Sequence, residues 1–393
     1  MSLPEPIRVL SLIPTFWPRQ GGAQMVLASI ASALGPRVET TVLTRGYDEC
    51  PDEQRYDDLH VYRYKSPAPE RWKDYATGKH HVSFPAKACV GLCDVLGCLP
   101  LLSRLAQNAD VLHLHFPLPL GLSALPLPGV RRLPMVVTVH GNADIYELPP
   151  ALAPLTRAVL KRASATVSVS SDLANHLSER LGVGPVTVVP NAVDTELFRP
   201  LPRIPSDTVT LLSISRIVPR KNIHVLISAV QELARMGERR LKLVIAGVGP
   251  SGAEVSRLAA QSPFTHSVGY VDEAKKRELI AQADAFVQLS VREGLSIATL
   301  EALASGVPCI VSDLPGVREP ITPGETGYLV SDPEDVDSVI SVLRRVLQER
   351  DKLEQMRSAA RSTAEERYSL GVMAEGYYRI YRQVIERRSA CGS

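Results

Sequence analysis

Cysteine is scarce in this chain of 393 residues, which has six, at positions 50, 89, 93, 98, 309 and 391. None of them shows the paired Cys-x2-Cys spacing of a zinc site. Cys89 and Cys93 could share one side of a helix, but a metal site would need two further ligands. We therefore expect reduced thiols in or near the core and no bound metal.

An excess of one charge is also lacking, because the formal net charge is +2 and the basic residues are spread along the chain. Nucleic acid is therefore not an expected partner. Hydrophobic residues make up 45% and charged residues 22% of the chain, which is typical of a folded globular protein.

Long uninterrupted hydrophobic runs are missing as well. The run over residues 7–13 is too short for a secretory signal. The run over 89–105 contains Asp94, Pro100 and Arg104, which argues against a membrane span of about 20 residues. We expect a cytoplasmic protein with at most peripheral association at the inner membrane surface.

Apolar, β-branched runs alternate with helical patterns from end to end, which predicts an α/β fold with parallel sheets covered by helices. The predicted strands are residues 9–13, 40–43, 59–64, 111–115, 135–139, 166–169, 186–189, 209–214, 241–246, 266–268, 285–289 and 308–311.

The segment 199–207 carries three prolines and neither helical nor strand periodicity, which is typical of a domain boundary. We predict two Rossmann-like domains, residues 1–200 and 201–370. A final helix over 371–393 is expected to pack back toward the N-terminal domain, because four apolar residues share one face: Tyr377, Ile380, Tyr381 and Val384.

Several polar residues follow predicted strands in the first half. Gly21 and Gly22 open a helix after the first strand, as in phosphate sites, although a flexible turn is the alternative. His140 follows the strand 135–139 at a sheet edge where α/β folds bind ligands. His113 and His115 share a face of their strand, which suggests either an acceptor wall or core packing.

In the second half, Arg216 and Lys221 follow the strand 209–214 and could converge on a diphosphate, with a solvated loop as the alternative. Glu293 is expected in a loop and Glu301 in the following helix. The amides of residues 294–296 at that helix start could bind phosphate oxygens, and the carboxylates could bind sugar or ribose hydroxyls.

Gly247, Gly249 and Gly252 satisfy the dinucleotide fingerprint G-x-G-x-x-G, which is the main rival signal. However, one strand-helix unit precedes it in its domain, and Pro250 removes a backbone donor. Hydride transfer is therefore disfavoured.

The spacing Glu293-x7-Glu301, with its trailing Glu-Ala-Leu-Ala-Ser-Gly-Val-Pro, resembles the signature of the glycosyl transferases group 1, which are retaining enzymes of the GT-B fold. Further matches are Gly21-Gly22, Thr138-Val-His140-Gly, Pro190-Asn-Ala-Val-Asp194, Ser215-Arg216 with Lys221, Ala246-Gly-Val-Gly249-Pro and Thr326-Gly-Tyr-Leu-Val330.

The resemblance implies two Rossmann-like domains facing a central cleft, and transfer of a hexose-type sugar from a nucleotide diphosphate. UDP is favoured, and neither metal nor cofactor is required. The resemblance implies that the catalytic residues are His140, Arg216, Lys221 and Glu293. The donor would be bound by Gly21, Gly22, Arg216, Lys221, Gly249, Tyr270, Val271, Glu293, Gly294, Leu295, Ser296 and Glu301.

More specifically, Arg216 and Lys221 would hold the diphosphate and Glu301 the ribose. Glu293 would hold the donor sugar, and His140 would contact it. The sequence departs from the family at Ala192, where glycine is usual, and at Leu295-Ser296, where Phe-Gly is usual. These changes bear on donor preference rather than on the scaffold.

The acceptor is expected on the first domain, at Trp72, Lys73, His115 and Asn142. The segment 62–84 mixes aromatic and basic residues, which suit sugar rings and anionic groups, although an ordinary surface loop is the alternative. A saccharide or glycolipid precursor is the preferred acceptor. A small natural product is the alternative acceptor. The alternative functions are a nucleotide-sugar epimerase, a phosphorylase and a catalytically silent protein that binds sugar nucleotides.

Overall fold

The computed structural model describes residues 5–19, 21–56, 59–68, 84–141, 145, 148–203 and 206–392. The chain forms two compact units, which we call unit 1 and unit 2. Unit 1 comprises Met1–Pro190 with Met373–Ser393, and unit 2 comprises Asn191–Val372. The division at Pro190 precedes the proline-rich segment at which the sequence predicted it.

Within the described residues, unit 1 has an eight-stranded sheet in the order β3-β4-β2-β1-β5-β6-β7-β8. All pairs are parallel except β3 with β4. The strands are β1 Ile7–Leu12, β2 Val38–Arg45, β3 Glu53–Tyr56, β4 Leu59–Tyr64, β5 Val111–Leu114, β6 Met135–Val139, β7 Ala165–Ser168 and β8 Val186–Val188.

The helices of unit 1 connect these strands and cover the sheet. They are α1 Gly22–Leu34, α2 Phe84–Leu105, α3 Pro128–Arg131, α4 Ala153–Arg162 and α5 Ser171–Leu181. Local chemistry sets their bounds: Ser170 caps α5 by accepting from the Leu173 amide, and Gly182 ends it in the left-handed conformation that glycine adopts without strain.

Unit 2 has a six-stranded, fully parallel sheet among its described residues, in the order β11-β10-β9-β12-β13-β14. Adjacent residues Leu211 and Leu212 lie in different core clusters, so both faces of the sheet are covered. The strands are β9 Val209–Ile214, β10 Leu241–Ala246, β11 Thr265–Gly269, β12 Ala285–Gln288, β13 Cys309–Ser312 and β14 Gly327–Val330.

The helices of the second half alternate with these strands and then close the chain. They are α6 Ile223–Arg235, α7 Gly252–Ala259, α8 Glu273–Gln282, α9 Ile297–Ala304, α10 Val336–Gln348, α11 Arg350–Tyr368 and α12 Leu370–Gly392. From Met373 onward, α12 belongs to unit 1. The four residues of its predicted apolar face are all buried: Tyr377, Ile380, Tyr381 and Val384.

The strand orders define where ligands bind in sheets of this kind. In unit 1 the chain reverses its direction of travel across the sheet between β1 and β5, and in unit 2 it does so between β9 and β12. At such a reversal the loops after adjacent strands diverge and leave a crevice at the carboxyl ends. These two edges are therefore the places to examine for a site.

Helix α2 is long and apolar. Its segment Ala86–Asn108 has a mean hydropathy of 1.6, so by length and composition it could cross a membrane. A single helix of this kind is weak evidence for a membrane span, because core helices of soluble proteins have the same properties. In unit 1 it packs against β2 and β4. Asp94 near its middle forms a fully buried ion pair with Arg45 of β2. One face of this helix therefore contributes to the core of unit 1.

Candidate functional site

The edge of unit 2 between β9 and β12 collects the polar residues that the sequence singled out. After β9, Arg216 is exposed, and a short 3-10 turn, Pro219–Lys221, buries Lys221. Asn222 then adopts a left-handed conformation (φ 50°) at the start of α6 and donates from Nδ2 to the Pro333 carbonyl at 3.1 Å. This turn places Lys221 beside the carboxyl end of β9.

Lys221 and Glu293 form a close ion pair across this edge. Glu293 Oε2 also lies 3.4 Å from Ser290 Oγ and 3.5 Å from Gln288 Nε2. The loops that carry the pair are joined by a backbone hydrogen bond from Val291 to the Arg220 carbonyl at 3.0 Å. The structure therefore brings two of the predicted catalytic residues together as an ion pair.

The start of α9 is built around Ser296. Its Oγ accepts from the Thr299 amide at 3.3 Å and donates to Gln288 Oε1 at 2.6 Å. Thr299 Oγ1 donates to the same oxygen at 3.2 Å. The predicted donor-binding residues 294–296 are all buried here, and the Leu295 carbonyl accepts from Asn191 Nδ2 at 2.8 Å.

A glycine from a neighbouring loop supports the Glu293-Gly294 turn. Gly316 has φ +73°, and a Cβ built on it would lie 2.7 Å from the Gly294 carbonyl and 2.8 Å from that of Glu293. Any larger residue would displace this turn, since real contacts of a Cβ are not this short. The position of Glu293 thus depends on backbone packing as well as on Lys221.

Glu301 lies within α9 and is 3% exposed. Its Oε1 accepts from Lys276 Nζ at 2.6 Å, and Lys276 also reaches Glu273 at 3.1 Å. Burial raises the pKa of Glu301 to about 7, while Lys276 opposes that shift. The predicted ribose ligand is therefore a buried carboxyl poised near neutrality. Sequence reasoning missed Lys276, because nothing in its spacing links it to α9.

Backbone packing requires two of the three fingerprint glycines, Gly247 and Gly249. Gly247 has φ +137°, and a Cβ on Gly249 would lie 2.2 Å from the Ile217 carbonyl. A Cβ on Gly252 would meet nothing within 4 Å, whereas the third glycine of a dinucleotide fingerprint permits close helix-strand packing. Beside this loop, predicted base contact Tyr270 is 75% exposed and Val271 half-buried.

In unit 1, the loop after β1 leads into α1 at the predicted phosphate site. Gly21 caps α1 with extended backbone and Gly22 is exposed at its first position. Gln24 Nε2 donates to Thr15 Oγ1 at 2.6 Å and to the Thr15 carbonyl at 3.1 Å, which anchors the loop to the helix.

Three histidines of unit 1 lie at the carboxyl ends of the neighbouring strands β5 and β6. His140 follows β6 and is half-buried, while His113 and His115 on and after β5 are fully buried. His115 Nδ1 lies 3.2 Å from His140 Nε2, and the two rings stack with 5.4 Å between centroids. Burial lowers the pKa of His140 to about 3, which leaves its imidazole neutral.

The structure bears on one of the expected acceptor contacts. His115 is 1% exposed, so its side chain offers no surface to an acceptor, and a direct contact is not supported. It contacts His140 instead. Trp72, Lys73 and Asn142 lie outside the described residues. In the ranges that the structure describes, no group of three or more His, Cys, Asp or Glu side chains could hold a metal ion.

Comparisons with known proteins identify the family of the chain. A family model described as Glycosyltransferase Family 4 matches residues 20–197, and one described as Glycosyl transferases group 1 matches residues 194–363. A phosphatidyl-myo-inositol mannosyltransferase of Mycobacterium tuberculosis is 31% identical over 290 residues, which are 70% of this chain and 74% of the relative.

Two further matches cover nearly the whole chain. A GDP-mannose-dependent alpha-(1-6)-phosphatidylinositol monomannoside mannosyltransferase of M. tuberculosis is 28% identical, over 90% of this chain and 92% of the relative. Sucrose-phosphate synthase from Thermosynechococcus elongatus superposes with a TM-score of 0.81 at 18% identity, covering 97% and 100% of the two chains. At this identity the structural match shows the fold alone.

The two parallel α/β units and these matches define a glycosyltransferase of the GT-B fold class. Within that class, the chain belongs to the glycosyl transferases group 1, the family to which its Glu293-x7-Glu301 spacing pointed.

Proposed function

We propose that this enzyme transfers a hexose from a nucleoside diphosphate carrier to a hydroxyl of a saccharide or glycolipid precursor, with retention at the anomeric carbon and without a metal ion. The observation that carries the proposal is the Lys221–Glu293 pair at the edge between β9 and β12, beside the start of α9. A buried ammonium can meet the charge that develops on a leaving diphosphate.

Further polar groups at the same edge support a phosphorylated ligand. Arg216 is exposed there and can bind a phosphate through paired hydrogen bonds. Among the described residues, the hydroxyl of Ser215 is buried without a hydrogen-bond partner, and a buried hydroxyl without one is costly. A ligand phosphate at this edge would satisfy it.

The first donor to test is GDP-mannose. The sequence alone favoured UDP sugars, but the relative that matches most of this chain is named as GDP-mannose-dependent. Titration of GDP, UDP and ADP by calorimetry ranks the bases, and transfer assays with GDP-mannose and UDP-glucose follow. If none of the three nucleotides binds, the proposed function is wrong.

Metal independence has its own test. The positive groups Arg216 and Lys221, together with the helix start, supply the electrostatic stabilisation that a divalent ion supplies elsewhere. Excess chelator should therefore leave the transfer rate nearly unchanged. Strict dependence on Mg²⁺ or Mn²⁺ would contradict this part of the proposal.

We place the reaction at the cytoplasmic surface of a membrane, where a glycolipid acceptor would be found. Helix α2 presents exposed apolar side chains at Leu92 (61%) and Leu96 (56%), one turn apart on one face, with the cation Lys87 exposed near its start. An apolar stripe with neighbouring positive charge is suited to the interface of an anionic bilayer. The mannosyltransferase relatives named above also have phosphatidylinositol in their names.

Vesicle sedimentation tests this location. Wild-type protein should pellet with vesicles that contain anionic phospholipid, and the double change Leu92→Gln and Leu96→Gln should reduce the bound fraction several-fold. Met236→Gln, an exposed apolar position on unit 2, is the matched control and should bind like wild type. Equal binding of the double variant would remove α2 from the membrane surface.

A further inference from the structure

His115 and His140 occupy equivalent places on neighbouring strands. His115 follows β5 and His140 follows β6, and these strands pair in parallel. The ring nitrogens His115 Nδ1 and His140 Nε2 lie 3.2 Å apart, and the ring planes are within 11° of each other. The family resemblance, carried into the proposed function, gives His140 a contact with the donor sugar, so what holds its ring matters for the reaction.

A hydrogen bond between two neutral imidazoles correlates their protonation. Each neutral ring carries one N–H, so one of the two facing nitrogens must be protonated and the other bare. Burial lowers the pKa of both groups, that of His140 to about 3 and that of His115 well below its ordinary value. The pair is therefore neutral at physiological pH, and the bond links the tautomer of His140 to that of His115.

The ring of His115 also packs against the ring of His113. Their rings contact with 4.2 Å between centroids. Both nitrogens of His113 are engaged: Nδ1 lies 2.8 Å from the Tyr381 hydroxyl and Nε2 lies 2.8 Å from Thr138 Oγ1. Thr138 Oγ1 in turn lies 3.1 Å from the Tyr377 hydroxyl. Two tyrosines of α12 thus fix the stack that ends at His140.

We propose that His115 is a positioning residue that holds His140 in one neutral tautomer and one ring orientation. In this proposal the pair adopts the same one of its two possible arrangements in every molecule, so the other nitrogen of His140 always presents the same character, donor or acceptor. A sugar hydroxyl needs such a fixed partner, since a mixture of tautomers would leave a fraction of the enzyme with a mismatched contact. This inference rests on the proposed function only for the role of His140, not for the state of its ring.

Three substitutions at one position separate hydrogen bonding from packing. His115→Phe keeps a ring but removes the nitrogen. His115→Asn can place an amide near the position of Nδ1, whereas His115→Gln places it near Nε2. We expect His115→Phe and His115→Gln to lower kcat about tenfold, as the loss of one buried hydrogen bond does, with donor KM within twofold. His115→Asn should stay within about threefold of wild type.

The Asn and Gln variants keep the test decisive if the Phe variant does not fold. Melting temperatures of all three are compared, because a purely structural role would make kcat follow stability rather than the position of the amide. Equal kcat for His115→Asn and His115→Gln, or wild-type kcat in His115→Phe, would overturn the proposal.

A spectroscopic measurement tests the ring directly and needs no turnover. Long-range ¹⁵N–¹H correlation spectra of histidine-labelled protein report the tautomer of each of the nine histidines, and His140→Gln identifies the signal of His140. Wild type should show one protonated and one bare nitrogen, and His115→Phe should show averaged shifts. Averaged shifts in wild type would overturn the proposal even if transfer is active. A single tautomer in a protein without transferase activity would support it and refute the proposed function instead.

Discussion

The site edge of unit 2 is charged, whereas that of unit 1 is neutral. Unit 2 holds its edge with two ammonium–carboxylate pairs, Lys221 with Glu293 and Lys276 with Glu301. Unit 1 holds its edge with stacked imidazoles and hydroxyls whose burial keeps His140 uncharged. The same α/β architecture thus produces two kinds of electrostatic surface, depending on the residues that follow its strands.

The two kinds of edge suit different parts of a nucleotide sugar. A leaving diphosphate gains negative charge and is stabilised by cations, while the anomeric carbon gains positive charge and would be repelled by a protonated imidazole. A charged edge and a neutral edge therefore suit the phosphate and the sugar respectively.

The largest expected effect comes from removing the cation of the charged edge. Lys221→Ala should lower transfer by about a hundredfold or more, because a positive group facing phosphate charge is lost and Glu293 is left unpaired. Arg216→Ala should have a similar effect. Steady-state kinetics with the best donor measures both.

Lys352→Ala is the matched control, since Lys352 is an exposed lysine of α11 paired with Glu349, and neither residue has a role in the proposed chemistry. Its rate should be that of wild type. If Lys221→Ala and Arg216→Ala also kept wild-type rates, the charged edge would not be the diphosphate site.

A smaller loss is expected when the backbone that supports the charged edge is altered. Gly249→Ala forces a Cβ against the Ile217 carbonyl and should destabilise unit 2 by about 1–3 kcal/mol. Gly252→Ala has open space and should be neutral or slightly stabilising. Thermal unfolding compares the two variants, and equal losses would show that Gly252 also serves a close approach, as the third glycine of a dinucleotide fingerprint does.

The protonation state of Glu301 should make the affinity of the charged edge for nucleotide sugars depend on pH. Because its pKa is raised to about 7, the carboxyl is protonated below neutrality and ionised above it. The affinity for an intact nucleotide sugar should increase several-fold, up to about tenfold, from pH 6 to pH 8, since the ionised form accepts better from ribose hydroxyls. Glu301→Gln should bind weakly with no such increase, as calorimetry at each pH would measure. An unchanged pH dependence in that variant would assign the effect elsewhere.

The smallest expected effect lies on unit 1. Trp72→Ala combined with Lys73→Ala should raise the acceptor KM several-fold and leave nucleotide affinity within about twofold, because a uniform loss of binding appears in KM. Acceptor saturation curves and nucleotide titrations measure the two quantities. Weaker nucleotide binding with an unchanged acceptor KM would move the acceptor away from this segment.

The fold was largely predictable because buried parallel strands are continuous apolar runs. Residues 241–246, for example, were predicted as a strand and form β10 with the same bounds. β3 was missed because Glu-Gln-Arg-Tyr is a polar, half-exposed edge strand without apolar alternation. β14 was noticed only as a motif, since Gly327 reads as a turn. That glycine is required because a Cβ there would lie 1.9 Å from the Cys309 carbonyl.

The site was predictable where chemistry follows a strand end and not where it depends on tertiary packing. Lys221 and Glu293 were each singled out by their positions after β9 and β12, although their ion pair was not predicted. Lys276 and the link between His115 and His140 were not, because these contacts join separate elements whose side-chain directions no spacing reveals. The polar start of α9 did leave a signal in the sequence. Gln288 is a glutamine at the end of an otherwise apolar strand, and its Oε1 accepts from Ser296 and Thr299.

The buried pair of Arg45 and Asp94 also affects how the chain is handled during synthesis. When α2 emerges from the ribosome, Arg45 is not yet folded against it, and its apolar composition resembles that of a segment the translocation machinery would insert. A single aspartate at the centre of such a helix raises the cost of insertion by about 2.5–3.5 kcal/mol. Asp94 would thus keep the nascent helix out of the bilayer until Arg45 neutralises it inside the folded domain. In a translocon insertion assay, Asp94→Leu should increase the inserted fraction of this segment, and an unchanged fraction would leave the aspartate with a purely structural role.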